Sequence, residues 1–237
     1  MRKAILLALV CALAGALAVP VIAATRHEHK FAMKFSSKTP KKSTGLTFST
    51  NRFGYQVPAP NTPADPVTKL AFTLQKGTKI KPTVVPACSK SKLESLGPTG
   101  CPAGSKIGSG SAQAITGIPA LDPVREKATL FATRGGILAY LSGAQTIVLQ
   151  LKARGNKLST TVPSVCLPPG TPAQGCPNGE AVLTVFKSNI RAKHTSKGNL
   201  VTTPSKCPSS RKWTNKVKYT FRNGDTETEQ SSSLCRR

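Results

Sequence analysis

The sequence contains few acidic residues and few aromatic residues. Only nine of the 237 residues are Asp or Glu, against 34 Lys or Arg, and the formal net charge at pH 7 is +25. Phe, Trp and Tyr together make up 5% of the chain. The shortage of acids argues against chemistry that needs paired carboxylates, and the shortage of aromatics argues against base-stacking surfaces for nucleic acid.

Long regular patterns are also missing. The sequence shows no collagen-like glycine period, no coiled-coil heptads, no series of membrane-spanning stretches and no sustained 3.6-residue apolar period. With 38% hydrophobic residues, however, the chain is too apolar for wholesale disorder and long enough to bury a core. Turn residues (Gly, Pro and Asn) recur about every ten residues. This pattern predicts an all-β fold, an antiparallel β-sandwich of short strands and hairpins.

The N-terminus resembles an export signal. Arg2 and Lys3 precede an uninterrupted apolar run over residues 4–19, and small residues for cleavage follow Pro20. We predict a signal peptide over residues 1–23 and a protein that is secreted or associated with the cell envelope. The alternative is an uncleaved anchor, since residues 4–24 are nearly long enough to span a bilayer. After cleavage, no transmembrane span is expected.

The mature chain is predicted to have two parts. Residues 24–43 are rich in Lys, Ser and Thr, and we interpret them as a mobile basic arm. Residues 44–237 are predicted to form the β-sandwich domain.

Six cysteines remain after removal of Cys11 with the signal peptide, and an even number in an exported chain predicts disulfides. Six cysteines can pair in many ways, and pairing between neighbours closes the shortest loops. The predicted bridges are therefore Cys88–Cys101, Cys166–Cys176 and Cys207–Cys235. Zinc is disfavoured because no Cys-x-x-Cys occurs and no His lies near any Cys.

The clearest predicted hairpin lies near the C-terminus. Two alternating segments flank Asn223-Gly224, a pair that favours a two-residue type I′ turn. That turn would place Arg222 opposite Asp225 and Lys218 opposite Glu229. The other face would carry apolar side chains toward the core, at Trp213, Val217, Tyr219 and Phe221.

Other alternating segments predict further strands. They lie at 46–55, 70–74, 106–115, 147–154, 158–162, 181–187 and 200–203, together with a pair around Gly135-Gly136.

Two cysteine-containing segments resemble a set of exported actinobacterial proteins. One runs from Cys88 to Cys101-Pro102 and on through Ser105, Ile107, Gly108 and Gly110, in the form Cys…Cys-Pro-x-x-Ser-x-Ile-Gly-x-Gly. The other is Cys207-Pro208…Trp213…Cys235. The resemblance covers scattered positions across residues 70–237 and implies export, disulfides and β structure. It implies no activity.

Motifs for catalysis or for a bound cofactor are absent or incomplete. No Gly-x-Ser-x-Gly occurs, and His194, the one histidine beyond the N-terminal segment, sits in a polar run. Ser89–Lys92 matches Ser-x-x-Lys, but it abuts a cysteine and a loop and lacks the Lys-Thr-Gly partner, so we interpret it as a chance match. Gly104–Gly110 lacks the Lys-Ser of a phosphate-binding loop. We therefore predict no catalytic residue, no cofactor and no enzymatic activity.

Five further acidic residues are isolated in the sequence, which disfavours a glycosidase pair. They are Asp65, Glu94, Asp122, Glu126 and Glu180.

One weak metal-like cluster contains His27 and His29. If cleavage follows Ala24, the new terminus is Thr25-Arg26-His27, whose amine, amides and imidazole form a square-planar set suited to Cu(II) or Ni(II). An exposed polar tail is the simpler interpretation.

Charge is the strongest functional signal. Lys and Arg are spread over residues 30–42, 76–92, 187–197 and 206–218, which favours anionic partners. We predict a non-catalytic binding or structural role at the cell envelope, with anionic cell-wall polymer, acidic polysaccharide or anionic lipid as the partner and nucleic acid disfavoured. The alternative is an extracellular hydrolase or metal-handling protein whose site is assembled from distant residues, for example a deep pocket holding His194 and a carboxylate.

Overall fold

The structure, a computed structural model, describes most of the chain beyond the N-terminal segment. The described residues are 28–53, 66–118, 120–167, 176 and 179–236. The predicted signal peptide, His27 and Asp65 lie outside them.

Short β-strands make up most of the described chain. In chain order they are β1 Glu28–Phe35, β2 Leu46–Phe53, β3 Val67–Thr73, β4 Lys79–Ile80, β5 Lys106–Ile115, β6 Val124–Thr133, β7 Gly136–Ser142, β8 Ile147–Arg154, β9 Lys157–Thr161, β10 Val165–Cys166, β11 Glu180–Ile190, β12 His194–Thr195, β13 Gly198–Asn199, β14 Val201–Thr202, β15 Lys212–Phe221 and β16 Thr226–Leu234. The helical segments are α1, Lys90–Leu96, and two 3₁₀ turns at Pro82–Val84 and Gly97–Gly100. Within the described ranges, no helix has the length and apolar content needed to cross a membrane.

Twelve strands form one antiparallel sheet. Its order is β1-β2-β11-β5-β6-β7-β8-β9-β3-β15-β16, and β10 pairs with β11. The two end strands of this path meet, because the Met33 amide in β1 donates to Ser231 Oγ in β16 at 2.9 Å. The sheet therefore curls until its edges touch. Two small two-stranded sheets, β12–β13 and β4–β14, flank it.

Aromatic side chains pack across the interior of the curled sheet. Phe48 of β2 and Phe72 of β3 lie on strands far apart in the sheet order, yet their ring centroids are 4.9 Å apart. Trp213 is fully buried, packs edge-on against Phe35 at 5.4 Å and donates its indole N–H to the Lys206 carbonyl. The two halves of the sheet thus face each other as sandwich layers. The predicted all-β sandwich is confirmed.

Helix α1 covers part of the outer surface of the sheet. Leu93 of α1 packs with Cys88 against Phe131 and Leu138, whose side chains form a small cluster separate from the main core. Sequence analysis interpreted the Ser89–Lys92 match as a chance one beside a loop and did not predict this helix. Ser89 is the N-cap residue, and its Oγ accepts the Lys92 amide at 3.3 Å, so the Ser-x-x-Lys spacing here serves helix capping.

The predicted mobile arm is wrong for the part of residues 24–43 that the structure describes. Residues 28–35 form β1, which pairs with β2 along its whole length. The reason is that apolar and basic residues alternate in this segment. Phe31, Met33 and Phe35 face the core. Lys30 and Lys34 face outward. The segment that follows is held by backbone bonds such as Lys41 N to Pro204 O.

The C-terminal hairpin forms, but its predicted register is wrong by one residue. The structure pairs Lys218 with Thr228 and Val217 with Glu229. Gly224 has a positive φ of 91°, whereas Asn223 does not, and Gly224 N bonds to Phe221 O. The turn is therefore one residue longer than a type I′ turn. Glu227 and Glu229 consequently share the face of Tyr219, and burial together with these carboxylates raises the pKa of the Tyr219 phenol.

Candidate functional site

Four neighbouring strands carry a concentration of positive charge on their outer surface. Strands β8, β9, β3 and β15 lie side by side in the sheet and contain no Asp or Glu. Alternation along each strand sends apolar side chains inward and basic side chains outward. Seven cations of these strands are exposed, including Lys212 at the start of β15. We call the other six the basic face: Lys69, Lys152, Arg154, Lys157, Lys216 and Lys218.

Strand register sets five of these cations in two rows, and Lys69 lies beside them between Thr161 and Thr220. One row crosses the sheet from Lys152 through Ser159 and Ala71 to Lys218. Because neighbouring strands are about 4.8 Å apart, this row is about 14 Å long.

The second row begins with Arg154 directly opposite Lys157 and ends at Lys216. Like charges directly opposite each other destabilise a sheet. A bound anion would relieve this repulsion, so the row has the electrostatic character of a binding surface.

A polar groove of about 400 Å³ borders the basic face beside helix α1. Lys69 and Lys152 line it from the sheet, and Lys90 lines it from the start of α1. Lys90 also forms an exposed ion pair with Glu94, at 3.1 Å. Hydroxyl and amide groups line it at Gln150, Ser159, Thr160 and Thr161, and the rest of the lining is apolar, at Val148, Leu149 and Pro163. Ammonium, hydroxyl and amide donors together suit phosphate or carboxylate oxygens.

The six predicted disulfide cysteines pair as neighbours. The bridges are Cys88–Cys101, Cys166–Cys176 and Cys207–Cys235. The first joins the residues on either side of α1 and the 3₁₀ turn that follows it, and Cys88 lies two residues before Lys90. The third joins the segment before β15 to the end of β16, with Cys235 in the main core.

His194 does not lie in a deep pocket. It is exposed in the small β12–β13 hairpin, where its Nδ1 lies 2.7 Å from Asn199 Oδ1. Of the residues predicted for a metal site, His27 lies outside the described residues and His29 lies in β1. In the described ranges, no group of three or more His, Cys, Asp or Glu is placed to hold a metal ion. The His27–His29 site therefore stays a prediction.

Two of the isolated carboxylates, Asp122 and Glu180, have structural partners. Asp122 accepts the Thr116 and Gly117 amides at 2.6 and 2.9 Å and so shapes the loop between β5 and β6. Glu180 pairs with Arg222, which the sequence had assigned to Asp225. Arg222 also donates to Ser164 Oγ at 2.9 Å.

Sequence reasoning missed the buried position of Glu126. It is 8% exposed, on the inner side of β6. The alternation Val124, Glu126, Ala128, Leu130 carried the signal, because Glu126 occupies an apolar phase of the strand.

Comparisons with known proteins give no family. No family model and no curated protein sequence matches the chain. Solved structures with low similarity to it include two pilins and a subdomain of a bacterial surface protein. The major pilin subunit of Bacillus cereus has a TM-score of 0.29 at 11% identity, and the matched region covers 88% of this chain and 40% of the pilin.

The other two structures are similarly distant. The collagen-binding subdomain of the Enterococcus faecalis surface protein ACE has a TM-score of 0.29 at 8% identity, with coverage of 88% of this chain and 96% of that subdomain. The T6 backbone pilin of Streptococcus pyogenes serotype M6 has a TM-score of 0.28 at 9% identity, with coverage of 87% and 36%. At these scores the matches assign neither a family nor a function to this chain.

Proposed function

We propose that this protein is an exported, non-catalytic binding protein of the cell envelope whose basic face holds an anionic polymer. One observation carries the proposal: six exposed cations on four adjacent strands, with no carboxylate on those strands. An uncompensated cluster of this kind raises the local concentration of polyanions. The predicted export signal and the resemblance to exported actinobacterial proteins support the proposed location.

The rows of lysines suit an extended ligand better than a small one. Charges about 14 Å apart along one row can each contact a different repeat of a polymer. The groove beside α1 adds hydroxyl and amide donors at one edge, which suits a repeat that carries sugar hydroxyls as well as charge. The proposed ligand is therefore a wall polymer or acidic polysaccharide with repeated phosphate or carboxylate groups.

A charge-matched pair of variants tests the proposal. Lys69→Gln/Lys152→Gln/Lys218→Gln removes three charges from the basic face. Lys127→Gln/Lys187→Gln/Arg191→Gln removes three exposed charges from the part of the sheet around β6 and β11. The two variants therefore have the same net charge. Binding of the mature protein to polyphosphate, polygalacturonate and single-stranded DNA is measured by fluorescence anisotropy at 0.05–0.2 M salt, a range chosen as roughly physiological.

We expect the basic-face variant to bind polyphosphate or polygalacturonate about ten- to hundredfold more weakly, since each lysine near an anionic surface contributes about 1 kcal/mol. The control variant should bind within about twofold of the wild type. Equal losses in both variants would mean that net charge alone acts, and the proposal would fail. Preference for DNA over both polymers would also contradict it.

A further inference from the structure

A second concave surface lies inside one end of the sandwich. It is a cavity of about 390 Å³, enclosed by β5–β8, β11 and the segment 162–167. Its walls are mainly apolar, including Leu141, Ile147, Leu149, Val162 and Leu183. A cavity of this size matches the smaller pockets that hold organic ligands.

The mouth of the cavity is also apolar. Leu121, on the loop between β5 and β6, lines the cavity and is 55% exposed, and Ile118 on the same loop is 41% exposed. This loop is shaped by the Asp122 carboxylate, which binds the Thr116 amide and hydroxyl. Large apolar side chains held in the open beside a cavity are typical of a ligand entrance.

One buried polar atom in the wall lacks a partner. Glu126 Oε1 accepts the Ala144 amide at 2.9 Å, but Oε2 is buried and makes no hydrogen bond within the described structure. Residue 143 next to this oxygen must be a glycine, because a Cβ on it would collide with the Glu126 carboxylate. A buried acceptor without a donor costs about 1–3 kcal/mol unless a bound molecule supplies the donor.

We infer that the cavity binds a small apolar molecule with a single hydrogen-bond-donating head, a hydroxyl or an ammonium. The apolar body fills the space between β7, β8 and β11, and the head donates to the Glu126 carboxylate, whose buried Oε2 reaches the cavity after a small rotation of the side chain. A carboxylate-headed molecule is disfavoured, because two acceptors would then face each other. This site is separate from the basic face and independent of the proposed polymer binding.

Three probes with the same chain length test the inference: 1-octanol, octylamine and octanoate. They present a neutral donor, a cationic donor and an anionic acceptor. Binding is located by methyl NMR on the wild type. We expect shifts at the cavity methyls of Leu121, Leu149 and Leu183, with the methyls of Leu46 and Val217 in the rest of the core as internal controls.

The wild type should bind octanol or octylamine at least about tenfold more tightly than octanoate. Whichever of octanol and octylamine binds more tightly indicates whether the natural ligand carries a hydroxyl or an ammonium group. In Glu126→Gln, the amide oxygen can keep the Ala144 bond while the NH₂ group faces the cavity. That variant should reverse the preference toward octanoate. Equal binding of all three probes to the wild type, or no cavity shifts with any of them, would overturn the inference even if Glu126→Gln does not fold.

Discussion

At the residue scale, glycines in β5 allow close approach of the neighbouring strand. Gly110 lies opposite Ser188 of β11, and a Cβ on Gly110 would collide with the Lys187 carbonyl oxygen. Sequence analysis predicted a strand over residues 106–115 and rejected a phosphate loop at Gly104–Gly110, but it gave these glycines no role within the strand. The glycines allow the backbones of β5 and β11 to approach closely, since a residue without Cβ leaves room for the neighbouring backbone.

Gly110→Ala should lower the free energy of unfolding by about 1–3 kcal/mol, because the new methyl group must displace backbone atoms. Gly135→Ala is the control, since a Cβ there meets nothing within 4 Å. It should change stability by less than about 0.5 kcal/mol. Urea unfolding of both variants provides the comparison. Similar costs for the two would show that the strand contact is not the cause.

At the element scale, β1 and β16 close the sheet through a side chain. Ser231 Oγ accepts the Met33 amide at 2.9 Å and lies 3.4 Å from the Met33 carbonyl oxygen, to which it donates. Asn215 contributes a further bond from its amide to the same carbonyl, at 3.5 Å. The hydroxyl of Ser231 thus joins β16 to β1 by hydrogen bonds to the Met33 backbone.

Ser231→Ala should therefore weaken the closure of the sheet. Met33 is fully buried, and its amide would lose its acceptor, at a cost of about 1–3 kcal/mol. Hydrogen exchange of the Met33 amide should accelerate. Ser232→Ala is the matched control, because Ser232 is exposed on the opposite side of β16. Unchanged Met33 exchange in Ser231→Ala would contradict this role for Ser231.

At the scale of the whole molecule, the Cys207–Cys235 bridge joins the C-terminal hairpin to the main core. The two residues are 28 positions apart, and Cys235 is 2% exposed. The bridge reduces the conformational freedom of the unfolded chain over the whole length of the hairpin. By contrast, Cys88–Cys101 spans 13 positions and serves the separate cluster under α1.

Replacing Cys207 and Cys235 together by Ala should lower the free energy of unfolding by about 3–4 kcal/mol, as expected for a closed loop of this length. The Cys88–Cys101 bridge closes a shorter loop. The Cys88→Ala/Cys101→Ala variant should therefore lower the free energy of unfolding by about 3 kcal/mol or less. Guanidinium unfolding under non-reducing conditions measures both. A larger loss from the second variant would indicate that the α1 cluster, not the hairpin, dominates stability.

The sequence by itself determined the features that depend on residues close along the chain. Alternating apolar side chains placed β5 at 106–115 and β8 at 147–154, because strand period is a local property. The cysteine pairs joined neighbours as predicted.

Only the tertiary structure decided what depends on distant partners. It shifted the C-terminal hairpin by one residue, since register depends on turn geometry and the whole core face. It also brought Lys69, Lys152 and Lys218 onto one surface and placed Glu126 in a cavity wall. Those neighbours arise from strand order in the sheet, a long-range arrangement that no local sequence pattern encodes.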